Sequence, residues 1–376
     1  VTGPTVDRIE LRRISLPLVR PFQTSFGTWT ERDILLVRVR ADGVDGWGEC
    51  VAGTTPTYSS EYTAEAHRVV ADVLGPLLLG APAVGVDVAG ALAPVKGHRM
   101  AKTALETAVL DVELRAAGRS LADALGGRRP SVPVGVSIGI PDTLDDLRRI
   151  VDEHRAEGYG RIKLKIKPGF DVEPVGVVRD HVGPDLMLQV DGNAAYRADD
   201  AGQARDLAAL DPFALALIEQ PYPEEEMLAH VDLADRMHTP ICLDESILNR
   251  ATTADALRLG ACSIVNIKAG RVGGYLEAAA IHDLCVEAGV PVWCGGMLET
   301  GIGRAANLAL ASLPGFTLPG DISATARYWH RDIVTEPFTV DGRGHMAVPA
   351  GPGLGVEIDH DFLDSVTEAV EEVRAG

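Results

Sequence analysis

No stretch of this 376-residue sequence is apolar for long enough to span a bilayer, so a helical membrane protein is not expected. The start of the chain, VTGPTVDRIELRRISLPL, lacks the basic segment followed by an apolar run that marks a secretory leader, and a cytoplasmic location is expected. Cysteine is scarce: Cys50, Cys242, Cys262, Cys285 and Cys294 are scattered and never spaced as CxxC. That argues against a disulfide framework and against a zinc site, and leaves buried thiols as the expectation. Positive charge is also short, with 35 Lys and Arg against 54 Asp and Glu, a formal net charge of -19. Without a dominant basic cluster, a nucleic-acid partner is not expected. There is no internal repeat and no low-complexity segment.

What is present is enough apolar sequence, 46% of residues, to bury a large core in a barrel plus one smaller domain. Residues 6 to 16 alternate as a strand does, and LLVRVRAD and DGVDGWGEC add two strands around a turn. Residues 60 to 125 read as helical, including MAKTALETAVLDVELRAAG, whose apolar positions recur every three or four residues. The first 125 or so residues therefore predict an α+β unit. From Ser131 the pattern becomes SVPVGVSIG, RIKLKIK, LMLQVD, ALALIEQP, PICLDES, SIVNIK, PVWCGG and GFTLPG, separated by helical stretches. Eight strands alternating with helices predict a parallel sheet closed into a barrel, an α/β fold. The tail after Asp321 predicts a terminal helix, DFLDSVTEAVEEVR, that packs back on the N-terminal unit.

Charged residues recur at the ends of these strands. Asp191, Glu219, Asp244 and Lys268 each follow a short apolar run and stand 24 to 28 residues apart. A strand of about 5–6 residues, a helix of about 11–12 and two loops fill that interval. Barrel enzymes carry their catalytic groups at the carboxyl ends of the strands, so this placement predicts an enzyme. In RIKLKIK, alternation sets Ile162, Leu164 and Ile166 on one face and Lys163, Lys165 and Lys167 on the other. In a barrel the lysines point inward, with Lys167 doubtful beside Pro168-Gly169; an edge strand with solvated lysines is the alternative. Three acids from adjacent strands would converge and repel one another without a cation, and their hard oxygens suit Mg²⁺. Capping of the following helices is the competing explanation for each acid alone. Lys268 should face the lysines of the RIKLKIK strand across the barrel mouth, so that two amines reach one α-carbon from opposite faces. A structural ion pair of Lys268 with Glu219 or Asp244 is the alternative. Cationic neighbours, metal and burial should lower a lysine's pKa, with Lys163 and Arg271 as candidate tuners.

KLK at 163 to 165, VDGN at 190 to 193, IEQP at 218 to 221, CLDES at 242 to 246 and NIKAGRVGG at 266 to 274 resemble the enolase superfamily, in its muconate-lactonizing branch. PFQTSFGT, KGHRMAK and WCGGMLETGIGRAAN extend the resemblance over nearly the whole chain. It implies a (β/α)7β TIM-type barrel with an N-terminal α+β capping domain: residues 1–128 capping, 129–322 barrel, and 323–376 a C-terminal segment packing back on the cap. Enolase-superfamily sites use a Lys or His base with Mg²⁺ to form an enediolate. By resemblance Asp191, Glu219 and Asp244 hold Mg²⁺, with Mn²⁺ or another divalent metal as substitute. Lys165 and Lys268 are then the acid/base pair, and Lys163 holds the substrate carboxylate. Phe22, Phe26 and Tyr58 are implied on closing loops, and Ser137, Asn193, Glu245, Gly296, Met297 and Leu298 in or behind the pocket. The implied activity is o-succinylbenzoate synthesis, a menaquinone-pathway dehydration, with N-succinylamino acid racemisation in the same site. A small-molecule carboxylate substrate and a homo-oligomer are implied as well. Mandelate racemase relatives fit less well, since they have Lys-x-His where this chain has Lys163-Leu-Lys165. Dipeptide epimerases carry an Asp-x-Asp that GFTLPGDIS lacks. A muconate-type cycloisomerase shares the same charged residues, and a Schiff-base aldolase would leave the three acids unexplained.

Overall fold

The computed structural model describes residues 4–374; residues 1–3 and 375–376, at the outer ends of the first and last expected units, lie outside the described residues. The chain opens on three antiparallel strands, β1 (Val6–Thr24), β2 (Gly27–Ala41) and β3 (Val44–Cys50). The turn between β2 and β3 uses Asp42 and Gly43, both at positive φ, as a tight hairpin requires. The helix Arg99–Ala117 lies across β3 and is buried along most of its length. Glycine makes that approach possible: a Cβ on Gly48 would stand 1.9 Å from the Ala104 carbonyl oxygen.

After β4 (Ser131–Pro133), seven parallel strands follow: β5 (Val136–Ile138), β6 (Arg161–Lys165), β7 (Met187–Asp191), β8 (Ile218–Glu219), β9 (Ile241–Leu243), β10 (Ile264–Ile267) and β11 (Val292–Cys294). They lie side by side in chain order, with helices between them. The barrel closes through the segment expected as an eighth strand. Phe316 bridges to Val292 of β11, and Gly320 bridges to Val134, just before β5. Pro319 carries no amide hydrogen, so this segment cannot extend a ladder and makes single bridges instead. SVPVGVSIG is likewise split, because β4 leaves the barrel to pair with β12 (His345–Ala347). The result is a TIM-type barrel behind an N-terminal α+β capping unit, each with its own apolar core.

The tail departs from expectation. Of the expected terminal helix, the stretch within His360–Ser365 is helical, whereas Thr367–Glu372 forms β13, which pairs antiparallel with β1. The free edge of β1 offers backbone partners that a continued helix would leave unused. Leu363 and Val373 are still buried, so the apolar anchors of the tail survive the change of conformation. Among the described residues, no helix is long and apolar enough to cross a membrane, and the five cysteines are buried and free.

Candidate active site

Parallel register sets the charged residues at one level. Lys165 pairs with Asp191 across β6 and β7, and Asp191 with Glu219 across β7 and β8. Asp244 and Lys268 each stand one residue beyond β9 and β10. Lys163, Lys165 and Lys268 are 2%, 8% and 5% exposed, and the three acids are wholly buried. The amines therefore point into the barrel and not to solvent. Lys167 is only part-buried and lies past the end of β6, exchanging backbone hydrogen bonds with Phe170 in a turn.

The amines are all engaged. Lys163 Nζ donates to Glu219 Oε2 at 2.8 Å and also contacts Asp191 (3.2 Å) and Asp321 (3.1 Å). Lys165 Nζ donates to Asp191 Oδ2 (2.6 Å) and Asn193 Oδ1 (2.7 Å). Lys268 Nζ donates to Asp244 Oδ2 (2.6 Å) and to the Tyr58 hydroxyl (2.9 Å). Arg271 holds the other Asp244 oxygen, at 2.7 Å and 3.1 Å, so it acts on Lys268 through that carboxylate and through Tyr58. Glu245 accepts from Asn193 Nδ2 at 3.1 Å.

Burial pushes Glu219 up to about 8, reinforced by Asp191 and relieved in part by Lys163. Glu245 is raised too, by burial and by Asp244. Burial alone would also raise Asp191 and Asp244, yet their ammonium partners hold both below the usual carboxylate range. For Lys163 and Lys268 the neighbouring acids set the direction. Burial does act to lower Lys163 and Lys268, but the acids around them win and both are raised. Opposite charges in contact outweigh the more distant cations.

A cavity of about 40 Å³ lies at the barrel mouth. Lys163, Lys165, Lys268, Ser137 and Asn193 reach it from the strand ends, and Gly296, Met297 and Leu298 from the loop after β11. Phe22, Phe26 and Tyr58 cover it from the capping unit, with Phe26 and Tyr58 ring centroids 5.9 Å apart. Gly296 is required there, because a Cβ would meet the Asp321 carbonyl oxygen at 2.3 Å. Glu245 and Arg271 stand behind the wall. The backbone is strained at three loop residues beside the site, with φ of 42° at Asn193, 34° at Gln220 and 58° at Leu298.

Four lining residues carry no assignment from the sequence: Thr24, Trp29, Asp321 and Tyr328. Asp321 accepts from Ser137 Oγ at 2.7 Å and pairs with Lys163. It follows the barrel-closing segment, so the rule that found the other acids applies to it as well. Tyr328 packs edge-on against Phe22 at 6.2 Å and carried no sequence signal.

The three strand-end acids face the same barrel interior, with Lys163 Nζ touching both Asp191 and Glu219, although among the described residues no three His, Cys, Asp or Glu side chains already form a cradle for a metal. Each acid turns instead to an ammonium, which is the nearest way to offset a buried negative charge. The donor set still suits a hard divalent cation, being three enclosed carboxylates on neighbouring strands, with Asn266 Nδ2 holding the second oxygen of Glu219 at 2.7 Å. The raised Glu219 marks this as a place where a further positive charge is favourable.

Residues 8–126 match the family model for the mandelate racemase / muconate lactonizing enzyme N-terminal domain, and residues 146–362 match the enolase C-terminal domain-like model. An N-succinylamino acid racemase from an Amycolatopsis species is 58% identical over 96% of this chain and 97% of its own length. The o-succinylbenzoate synthase of Bacillus subtilis is 44% identical over 95% of each chain. A crystal structure of an enolase-superfamily member from Listeria innocua superposes with a TM-score of 0.93 at 36% identity, covering 100% of both chains. With both halves matched and relatives of this identity along nearly its full length, the chain belongs to the enolase superfamily, in its mandelate racemase / muconate-lactonizing branch, and is an enzyme of that group similar to o-succinylbenzoate synthases and N-succinylamino acid racemases.

Proposed function

We propose that the enzyme removes the α-proton of a small carboxylate substrate with the help of Mg²⁺, and that one site carries out both o-succinylbenzoate synthesis and N-succinylamino acid racemisation. The observation that carries this reading is the placement of Lys165 and Lys268. β6 and β10 are four positions apart in an eight-position barrel, so their lysines approach one cavity from opposite sides. A planar carbanion between them can lose a proton on one face and regain it on the other.

In racemisation, Lys165 serves one enantiomer as base while Lys268 returns a proton to the opposite face, and the roles exchange for the other enantiomer. In dehydration, Lys165 takes the α-proton and then delivers it to the departing hydroxyl, so that water leaves and Lys268 remains a fixed positive charge beside the enediolate. Lys163 orients the substrate carboxylate. General-base catalysis supplies only about 10² to 10⁴-fold, so charge stabilisation must provide most of the rate. Asp191, Glu219 and Asp244 would hold Mg²⁺, which when bound supplies positive charge against the developing dianion. Phe22, Phe26, Tyr58, Met297 and Leu298 keep water from the reacting carbon, and Asn193, Glu245 and Arg271 hold the charged groups in place. The same reading divides the chain into a cap (1–128), a barrel (129–322) and a returning tail (323–376).

The test is proton exchange in D₂O followed by NMR with each enantiomer of N-succinylphenylalanine, beside an ultraviolet assay for the aromatic dehydration product. Both activities should vanish with EDTA and return with Mg²⁺. Full activity in EDTA, or exchange from one enantiomer alone, would overturn the reading.

A further inference from the structure

Each of the three strand-end acids has one oxygen held by a group other than a lysine: Asp191 Oδ1 by the Asn193 amide, Glu219 Oε1 by Asn266 Nδ2 and Asp244 Oδ1 by Arg271. The oxygens left for a cation are the ones the amines now hold, Asp191 Oδ2, Glu219 Oε2 and Asp244 Oδ2. A bound cation and the amines therefore compete for the same atoms, and the lysines differ in what they keep once those atoms are taken. Lys165 keeps Asn193 Oδ1 at 2.7 Å and Lys268 keeps the Tyr58 hydroxyl at 2.9 Å, both neutral. Among the described residues Lys163 is the one of the three that keeps an anion, because Asp321, at 3.1 Å, stands outside the metal set.

Asp321 is fixed where it stands. Its backbone amide donates to the Cys294 carbonyl of β11 at 2.7 Å, which ties the residue to the barrel. Its Oδ2 takes both the Ser137 hydroxyl, at 2.7 Å, and Lys163, while Oδ1 faces Arg161 at 3.5 Å. Burial alone would raise this carboxyl, but Lys163 and Arg161 hold it below the usual carboxylate range, so it stays ionised. The same two cations lie over one ring, with Lys163 Nζ 4.8 Å and the Arg161 guanidinium carbon 5.4 Å from the Trp293 centroid. A Lys163 released by Glu219 and Asp191 thus still has a fixed anion and an aromatic face to hold it.

We propose that Asp321 is a positioning residue that retains Lys163 when the divalent cation takes Asp191 and Glu219, and so frees those two carboxylates for the cation. The inference rests on the function proposed above and gives a role to an acid that reading leaves unused. Without the Asp321 charge, Lys163 would find anions only among the metal-binding acids and would compete with the cation for them, since a buried ammonium left unpaired is costly. Asp321 acts on the metal through Lys163 and is not itself a ligand.

The test is Mg²⁺ binding to the substrate-free protein by titration calorimetry, a readout independent of turnover. Asp321→Asn should weaken Mg²⁺ binding about 10-fold in the wild-type background, but only about 2-fold or less in Lys163→Met, where no ammonium competes. Lys163→Met by itself should bind Mg²⁺ at least as tightly as the wild type. Asp321→Ala carries the same comparison if the Asn variant does not fold. Equal weakening in the two backgrounds would mean that Asp321 acts on the cation directly, and would overturn the proposal. So would an undiminished affinity in Asp321→Asn, or a weaker one in Lys163→Met. A wild type that takes up no Mg²⁺ would instead reject the metal-dependent function, and the inference with it.

Discussion

The two lysines that face each other across the cavity are held by similar networks built from different parts of the molecule. Lys165 donates to Asp191, whose carboxylate is shared with Lys163. Lys268 donates to Asp244, whose carboxylate is shared with Arg271. Each lysine thus has one acid, and each acid a second cation. The difference lies in the neutral partner. Lys165 has Asn193 from a barrel loop, whereas Lys268 has Tyr58 from the capping unit, with the ring 4.8 Å from the amine. One side of the site is assembled within the barrel alone, and the other is complete only when the cap is seated.

The strongest way to break the symmetry is to remove each amine in turn. Lys165→Ala and Lys268→Ala should each lower racemisation by about 10³-fold or more, since either one interrupts the two-sided path. Exchange into solvent should survive in one enantiomer per variant, and in opposite enantiomers for the two variants, as NMR in D₂O would record. Loss of both exchanges in both variants would mean that the amines do not act on separate faces.

Removing the second cation sharpens the contrast further. Arg271→Gln removes the guanidinium from one oxygen of Asp244, where the Tyr58 hydroxyl stays at 3.4 Å, and leaves Lys268 as the one cation in contact with that carboxylate. Racemisation, which needs Lys268 to move a proton, should fall about 10-fold, and dehydration, which needs only its charge, by less. Equal losses in the two assays would count against the division of roles. A smaller effect is expected for Tyr58→Phe. Loss of the 2.9 Å charge-assisted bond from Lys268 and of the longer Tyr58 contacts to Asp244 should slow exchange on the Lys268 face by a few-fold, because Asp244 still holds the ammonium, and leave the Lys165 face unchanged.

This asymmetry was only half legible in the sequence. Asp191, Glu219, Asp244 and Lys268 could be placed because a charge closing an apolar run is a local signal, and strand alternation aimed Lys163 and Lys165 inward. Asp321 ends a run interrupted by Pro319, which disguised it as loop. Tyr328 caps the single 3-10 turn Thr325–Arg327, too short for any periodicity to say which way a side chain turns. The carboxyl end of the chain shows the same limit: TEAVEE suits a helix by propensity, but the open edge of β1, more than 350 residues away, makes it a strand. The upward shift of Lys163 and Lys268 is hidden for a related reason. The direction depends on whether acids or cations lie nearer, and spacing along the chain does not contain that.

The dependence of the Lys268 side on the cap leads to a prediction about pH. Glu49 of β3 accepts from the Thr300 backbone and hydroxyl and from the Gly303 amide, at the start of the helix Gly301–Ala311. Glu106 accepts from the Leu276 amide at the start of the helix Tyr275–Glu287. Both joints fasten the cap next to β10 and β11, the Lys268 half of the barrel. Burial is the main cause that pushes each acid up to about 7, with Glu299 adding repulsion at Glu49 and Glu277 at Glu106. A raised carboxyl binds its proton more tightly in the folded protein than in the unfolded chain. Stability from these groups is therefore present at low pH and declines as pH rises from the ordinary carboxylate value, 4.5, through about 7. The melting temperature should fall by a few degrees across that window, and Glu49→Gln, which keeps the shape and removes the titration, should flatten part of the slope. An unchanged slope in the variant would mean that the Glu49 joint does not exchange a proton on folding, and the decline with pH would then rest on Glu106.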